Sequence, residues 1–133
     1  MTDLIVNGVL ERYPGVTFVS AENEIAWLPF HLWRMDQLHE KLHAMSPVKL
    51  TMRPSDYFRR QFFATFIEDP IFPASLPYLG STNIMWSSDF PHLASAWPHS
   101  HQFIDDNLGT VAPADLRNIV HDNAARLYGI TGV

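Results

Sequence analysis

Ile25, Leu28, Leu32, Met35, Leu38, Leu42 and Met45 step along the chain by three or four residues. That is the spacing of one helical face, and it predicts a helix running to Ser46-Pro47. Pro29 falls in the first turn, where a missing N–H does little harm. Upstream, Leu4, Ile5, Val9 and Leu10 share a second helical face, which Pro14-Gly15 stop. Between the two helices, "VTFVSAE" is β-branched and aromatic and predicts a strand ending at Glu22. "RPSDYFRRQ" reads as a turn and a short helix, and "FFATFIEDP" as a second strand closed by Glu68, Asp69 and Pro70. "LPYLGSTN" supplies a turn, and "NIMWSSD" is a third strand, broken abruptly by two serines and an acid. "WPHSHQFIDDNLG" and "PADLRNIVHDNAARLYG" both predict helices. In the second, Leu116, Ile119, Val120, Ala124, Leu127 and Tyr128 share a face, with Pro113 near the start and Gly129 as C-cap.

Strands alternating with helices imply right-handed βαβ units and a parallel sheet. A parallel sheet needs both faces and both edges covered, and three strands with long apolar edges form a poor closed domain. Self-association through exposed sheet edges is therefore expected. The ten prolines are scattered rather than gathered into a linker, and no repeat divides the chain, so residues 1–133 read as one domain.

Composition narrows the function. At 47% hydrophobic and 17% charged residues, the chain is globular. A net charge of -5 with nine Lys plus Arg argues against nucleic acid, because Arg59-Arg60 is too short a basic cluster for phosphate binding. There is no apolar stretch of bilayer length and no secretory pattern at the start, so a cytoplasmic protein without a membrane partner is expected. With no cysteine, a metal would have to be held by His, Asp or Glu, and seven histidines are available.

The three strands end in acids: Glu22, Glu68 with Asp69, and Asp89. Parallel strands put these carboxyl ends on one side of the sheet, where ligands bind in α/β folds. An acid after a strand more often caps a helix or solvates a loop. Asp89 stands apart, because it leaves a buried strand and Phe90-Pro91 fix the chain's exit behind it. His92 is placed for substrate contact or for orienting Asp89. His99 and His101 have His-x-His spacing but fall at a helix start, where such side chains diverge. His31, His39, His43 and His121 read as surface or partly packed helix residues. Trp86, Trp97, Phe90 and Tyr78 could line an apolar pocket or belong to the core. No nucleophile elbow or phosphate-cradling glycine loop is present, which leaves metal or carboxylate chemistry.

"ERYPGVTFVSAEN", "WLPFHLWRMD", "RPSDYFRRQFFATFIEDP", "NIMWSSDFPH" with "WPHS", and "DNAARLYG" occur in an order and spacing that resemble the carboxy-terminal part of the amidohydrolase-related (amidohydrolase 2) family. Relatives in that family include aminocarboxymuconate-semialdehyde decarboxylase. The resemblance implies an α/β fold comprising about three βα units, the sixth to eighth, of a TIM (β/α)8 barrel. It implies a divalent metal, zinc being the expected ion, at the carboxyl ends of the strands. Asp89 would match the aspartate that binds this metal or takes a proton from its water. His92 and Trp86 are expected as substrate-binding residues beside it, and Glu22 is expected to serve the substrate or to substitute as a ligand. The family's first-strand His-x-His and fifth-strand histidine would lie before Met1, so the remaining ligands are absent from this chain. Where many relatives end the sixth strand in His-Gly, "FVSAENE" offers Glu22, Asn23 and Glu24.

The first expectation is accordingly a metal-dependent hydrolase of a small amide, ester or ring substrate, working through metal-activated water. The alternatives are a non-oxidative decarboxylase of the same family, or a catalytically inactive fragment that needs a complementary partner.

Overall fold

The computed structural model describes residues 1–132. The chain divides into two compact units. One comprises Met1–Ser20 and Trp27–Phe63; the other comprises Ala21–Ala26 and the residues from Ala64 onward. The strands form one sheet in the order β1 (Phe18–Ser20), β2 (Phe62–Phe66) and β3 (Ile84–Trp86). β2 and β3 are parallel, with Ala64 opposite Ile84, Thr65 opposite Met85 and Phe66 opposite Trp86.

In the first unit, the predicted amino-terminal helix is broken into α1 (Thr2–Val6) and α2 (Val9–Arg12). Gly8 makes the break with φ 69°, and a Cβ there would meet Val48 Cγ1 at 2.8 Å. The long apolar seam becomes α3 (Leu28–Leu42), with Pro29 in its first turn and Leu28, Leu32 and Met35 buried. α4 (Pro54–Gln61) packs on α3. Asp36 accepts from the backbone N–H and the hydroxyl of Ser55 at 2.8 and 2.6 Å. Tyr57 and Phe58 fill this unit's core beside Ile5 and Leu10, and Gln61 donates to the carbonyls of Tyr13 and Val16.

The second unit departs from expectation in two of its helices. Phe72–Leu79, half of it expected to be a turn, forms a helix, α5. Its two prolines hide it: Pro73 sits harmlessly in the first turn, and Pro77 removes one donor from a helix only two turns long. α6 (Ser100–Leu108) matches the expected helix. The last helix runs as α7 (Pro113–Arg117), a π-helical turn at Asn118–Asp122, and α8 (Asn123–Tyr128). The π turn shifts the phase of the apolar stripe. Ile119 and Asn123 are buried, whereas Val120 and Tyr128, expected on the same face as Ile119, are exposed. Gly129 ends α8 in the left-handed conformation, φ 66°, as predicted.

The edges also differ from expectation. β1 and β3 are three residues each, and short edge strands offer little template for pairing.

One buried network fixes the start of β3. The Asn123 amide donates to the carbonyls of Ser81 and Ile84 at 2.6 and 2.7 Å. The Ser81 hydroxyl donates to Asp115 and accepts from Asn118. The "DNAARLYG" motif therefore anchors the strand whose far end carries Asp89.

Candidate functional site

Leaving β3, the Ser87 N–H donates to the Phe66 carbonyl at 2.9 Å and extends the sheet by one step. Two residues later Asp89 takes φ 55°, a left-handed conformation that costs a residue with a Cβ about 1–2 kcal/mol. Such strain persists only where the surroundings over-determine it, and it concentrates at functional sites. Here the surroundings are visible. The Asp89 carbonyl accepts from the His92 N–H at 2.8 Å, and the Ser88 carbonyl accepts from the Ala96 N–H at 3.0 Å. The Asp89 side chain is 6% exposed, and its Oδ1 lies 2.8 Å from His92 Nδ1. A carboxylate only accepts, so Nδ1 carries a proton and Nε2 faces outward.

Glu22 reaches the same place from another direction. It too is left-handed, φ 58°, and its N–H donates to Thr65 Oγ1 on β2 at 2.9 Å. The following loop is stapled twice to the end of β2. Glu24 accepts from the N–H groups of Ile67 and Glu68. The buried Asp69 accepts from those of Ile25 and Ala26 at 2.9 and 2.7 Å. These bonds stop Glu22 from swinging away. Nothing local in the sequence marks Thr65, Glu24 or Asp69 for this role, because each acts on backbone about 43 residues distant in the chain.

Among the described residues, Glu22, Asp89 and His92 form the single group of three candidate metal ligands, with one donor atom of each within 4.8 Å of the others. Donors held by one ion at 2.0–2.2 Å lie at most about 4.4 Å apart, so small side-chain rotations bring the three onto a common centre. Two carboxylates and an imidazole suit a hard or borderline divalent ion. The residues present therefore fit a metal. The hydrogen bond from His92 to Asp89, then the charges of Asp89 and Glu22, raise the His92 pKa above its ordinary 6.5, which favours the protonated ring as a proton donor beside the two carboxylates.

Of the acids expected at the strand ends, the structure brings Glu22 and Asp89 together, exposes Glu68, and turns Asp69 inward onto backbone. The indole of Trp86 is committed elsewhere. Its Nε1 donates to the Ile67 carbonyl at 3.2 Å, and its ring lies 6.3 Å from Phe103. His99 and His101 flank the start of α6 and join no three-residue group.

A short parallel sheet with acids and a histidine converging beyond its carboxyl ends defines a piece of an α/β barrel of the ligand-binding type. Residues 1–130 match the amidohydrolase family, and the chain belongs to it. It is 27% identical over 129 residues to gamma-resorcylate decarboxylase of Rhodococcus jostii, covering 94% of this chain and 37% of that protein. Among solved structures, it superposes on 5-carboxyvanillate decarboxylase from Sphingomonas paucimobilis with a TM-score of 0.76 at 30% identity, covering 96% of this chain and 38% of that one. It shares its fold with a dihydroxybenzoic acid decarboxylase from Polaromonas sp. JS666, solved with bound manganese and 2-nitroresorcinol. The TM-score is 0.75 at 19% identity, covering 98% of this chain and 39% of that one. The chain thus spans less than two fifths of the length of these relatives.

Proposed function

We propose that this chain is the carboxy-terminal part of a metal-dependent, non-oxidative decarboxylase acting on a small hydroxylated aromatic carboxylate. The observation that carries the reading is the convergence of Glu22, Asp89 and His92 on backbone held in place by strain and hydrogen bonds. The two decarboxylases at 27% and 30% identity support decarboxylation over the hydrolysis expected first from the sequence.

Glu22 and Asp89 would hold the divalent ion through carboxylate oxygens. Zinc is the expectation from sequence, and the manganese of the Polaromonas structure favours an ion that accepts oxygen donors. When bound, such an ion supplies Lewis-acid stabilisation of substrate oxygens. His92 Nε2–H donates to the substrate, its ring oriented by the Nδ1–H bond to Asp89 Oδ1. As carbon dioxide leaves, the electron pair of the broken C–C bond stays on the ring carbon, and a proton from His92 Nε2 completes the new C–H bond. The histidine is then reprotonated from solvent, to which its side chain is 67% exposed.

The other roles follow from bulk properties. A net charge of -5 supports a small-molecule substrate over a nucleic acid. The proposed location is the cytoplasm, as expected from the sequence; among the described residues, no helix is long and apolar enough to cross a membrane. The proposed macromolecular partner is a second copy of this chain or a complementary chain.

The test assays the chain alone, and mixed with the amino-terminal remainder of the 5-carboxyvanillate decarboxylase, with manganese, a dihydroxybenzoate and 18O-labelled water. Carbon dioxide release without 18O in the organic product is expected from the mixture. No carbon dioxide release, with 18O incorporated once the same mixture is given a small aryl amide or ester, would return the reading to hydrolysis. Asp89→Asn should lower turnover by about a hundredfold or more; unchanged turnover removes Asp89 from the chemistry.

A further inference from the structure

At the carboxyl end of α3, residues 39–43 read His-Glu-Lys-Leu-His, with His39 in the last turn and His43 as the C-cap, still in helical conformation; both lie outside the group of Glu22, Asp89 and His92. Residues at i and i+4 lie on the same helical face, and this spacing lets two imidazoles take one metal ion. The rings of His39 and His43 are 5.6 Å apart between centres. An imidazole bound through nitrogen at 2.0–2.1 Å holds its ring centre about 3.2 Å from the ion, so two rings in a tetrahedral arrangement sit about 5.2 Å apart. The observed spacing is within a small side-chain rotation of that value.

A second, independent feature points the same way. His43 Nδ1 lies 3.1 Å from the Glu40 carbonyl oxygen, which can only accept, so Nδ1 carries the hydrogen. The neutral ring is thereby fixed in the tautomer whose Nε2 lone pair is available, the way metal-binding histidines are usually oriented. Both histidines line a cavity of about 550 Å³, and the carboxylates of Asp36 and Glu40 on the same wall outnumber the one guanidinium there, Arg53.

We propose that His39 and His43 form a two-histidine chelate for a nitrogen-preferring divalent ion of the copper, nickel and zinc class, with its open positions facing this cavity. The pair selects against manganese, which prefers oxygen donors. The site is independent of the decarboxylase reading.

The test titrates copper(II), at up to one equivalent, into the Asp89→Asn chain, which silences the other centre. Calorimetry reads the affinity, and paramagnetic resonance counts the bound nitrogens. One site with two nitrogen ligands is expected. Removing either histidine should weaken it by about a hundredfold, the scale on which a linked second donor adds to the first. In the Asp89→Asn background zinc should raise the Tm, and adding His43→Gln should abolish that rise. Equal copper affinity in His43→Gln and the parent, or a spectrum with fewer than two nitrogens, overturns the proposal. His43 is exposed, so His43→Gln decides alone should the half-buried His39→Gln fail to fold.

Discussion

Asp89 and Glu22 share a property that a list of acidic residues conceals, since both sit at positive φ, where a Cβ is costly. That conformation aims each carboxylate at a fixed point instead of letting it follow solvent. The resulting field acts on His92, whose pKa is raised first by the hydrogen bond to Asp89 and then by the charges of Asp89 and Glu22. In the metal-free chain, NMR titration should place His92 above 6.5, and Asp89→Asn should return it toward that value. Because the folded pKa is the higher one, the stabilisation is complete below 6.5 and disappears as pH rises through the folded value. Unfolding free energy should therefore decline across that window in the parent and stay flat in Asp89→Asn. Asp89 was legible in the sequence because an abrupt change from apolar to polar marks where a buried strand ends. The division of labour between Glu22 and Asp69 was not legible. Both follow strands, and only the fold decides which carboxylate meets backbone N–H groups and which faces the site.

The elements show the same contrast at a larger scale. Helices with an unbroken stripe, such as α3, could be read from spacing alone. Helices carrying prolines, such as α5, or a π turn, as between α7 and α8, could not, because tertiary packing outweighs the local penalty there. The π turn has a visible use: it places Asn123 inward, where its amide satisfies two carbonyls at the base of β3. Asn123→Ala should cost about 1–3 kcal/mol by stranding those carbonyls, read as a lower urea midpoint with unchanged slope. Gly8→Ala should cost about 1–2 kcal/mol by the same measurement, because a Cβ at φ 69° is strained and meets Val48. In β2, Phe66 is 1% exposed with Phe72 at 4.7 Å, and Phe66→Ala should cost about 3–5 kcal/mol.

At the scale of the molecule, the chain carries three parallel strands of a fold whose relatives are more than twice as long. Large apolar side chains remain uncovered, including Phe30 at 69%, Met45 at 82% and Leu93 fully exposed. Monomeric soluble proteins avoid extended apolar patches. Sedimentation of the isolated 15.2 kDa chain should accordingly show a mass of at least a dimer. Addition of the amino-terminal remainder of a relative should compete with that assembly. A cooperatively folded monomer with full activity would refute the need for a partner.

From the sequence alone came the alternation of strand and helix, the parallel sheet, the amidohydrolase resemblance and the candidacy of Asp89 and His92. Each of these is written in short-range periodicity or in motif order. The tertiary structure decided that Glu22 joins Asp89 and His92, that Asp69 and Glu24 hold the Glu22 loop, and that "DNAARLYG" is an anchor for β3. Those contacts join residues about 40 to 70 positions apart, so their distances are set by how the chain packs and not by how it is spelled.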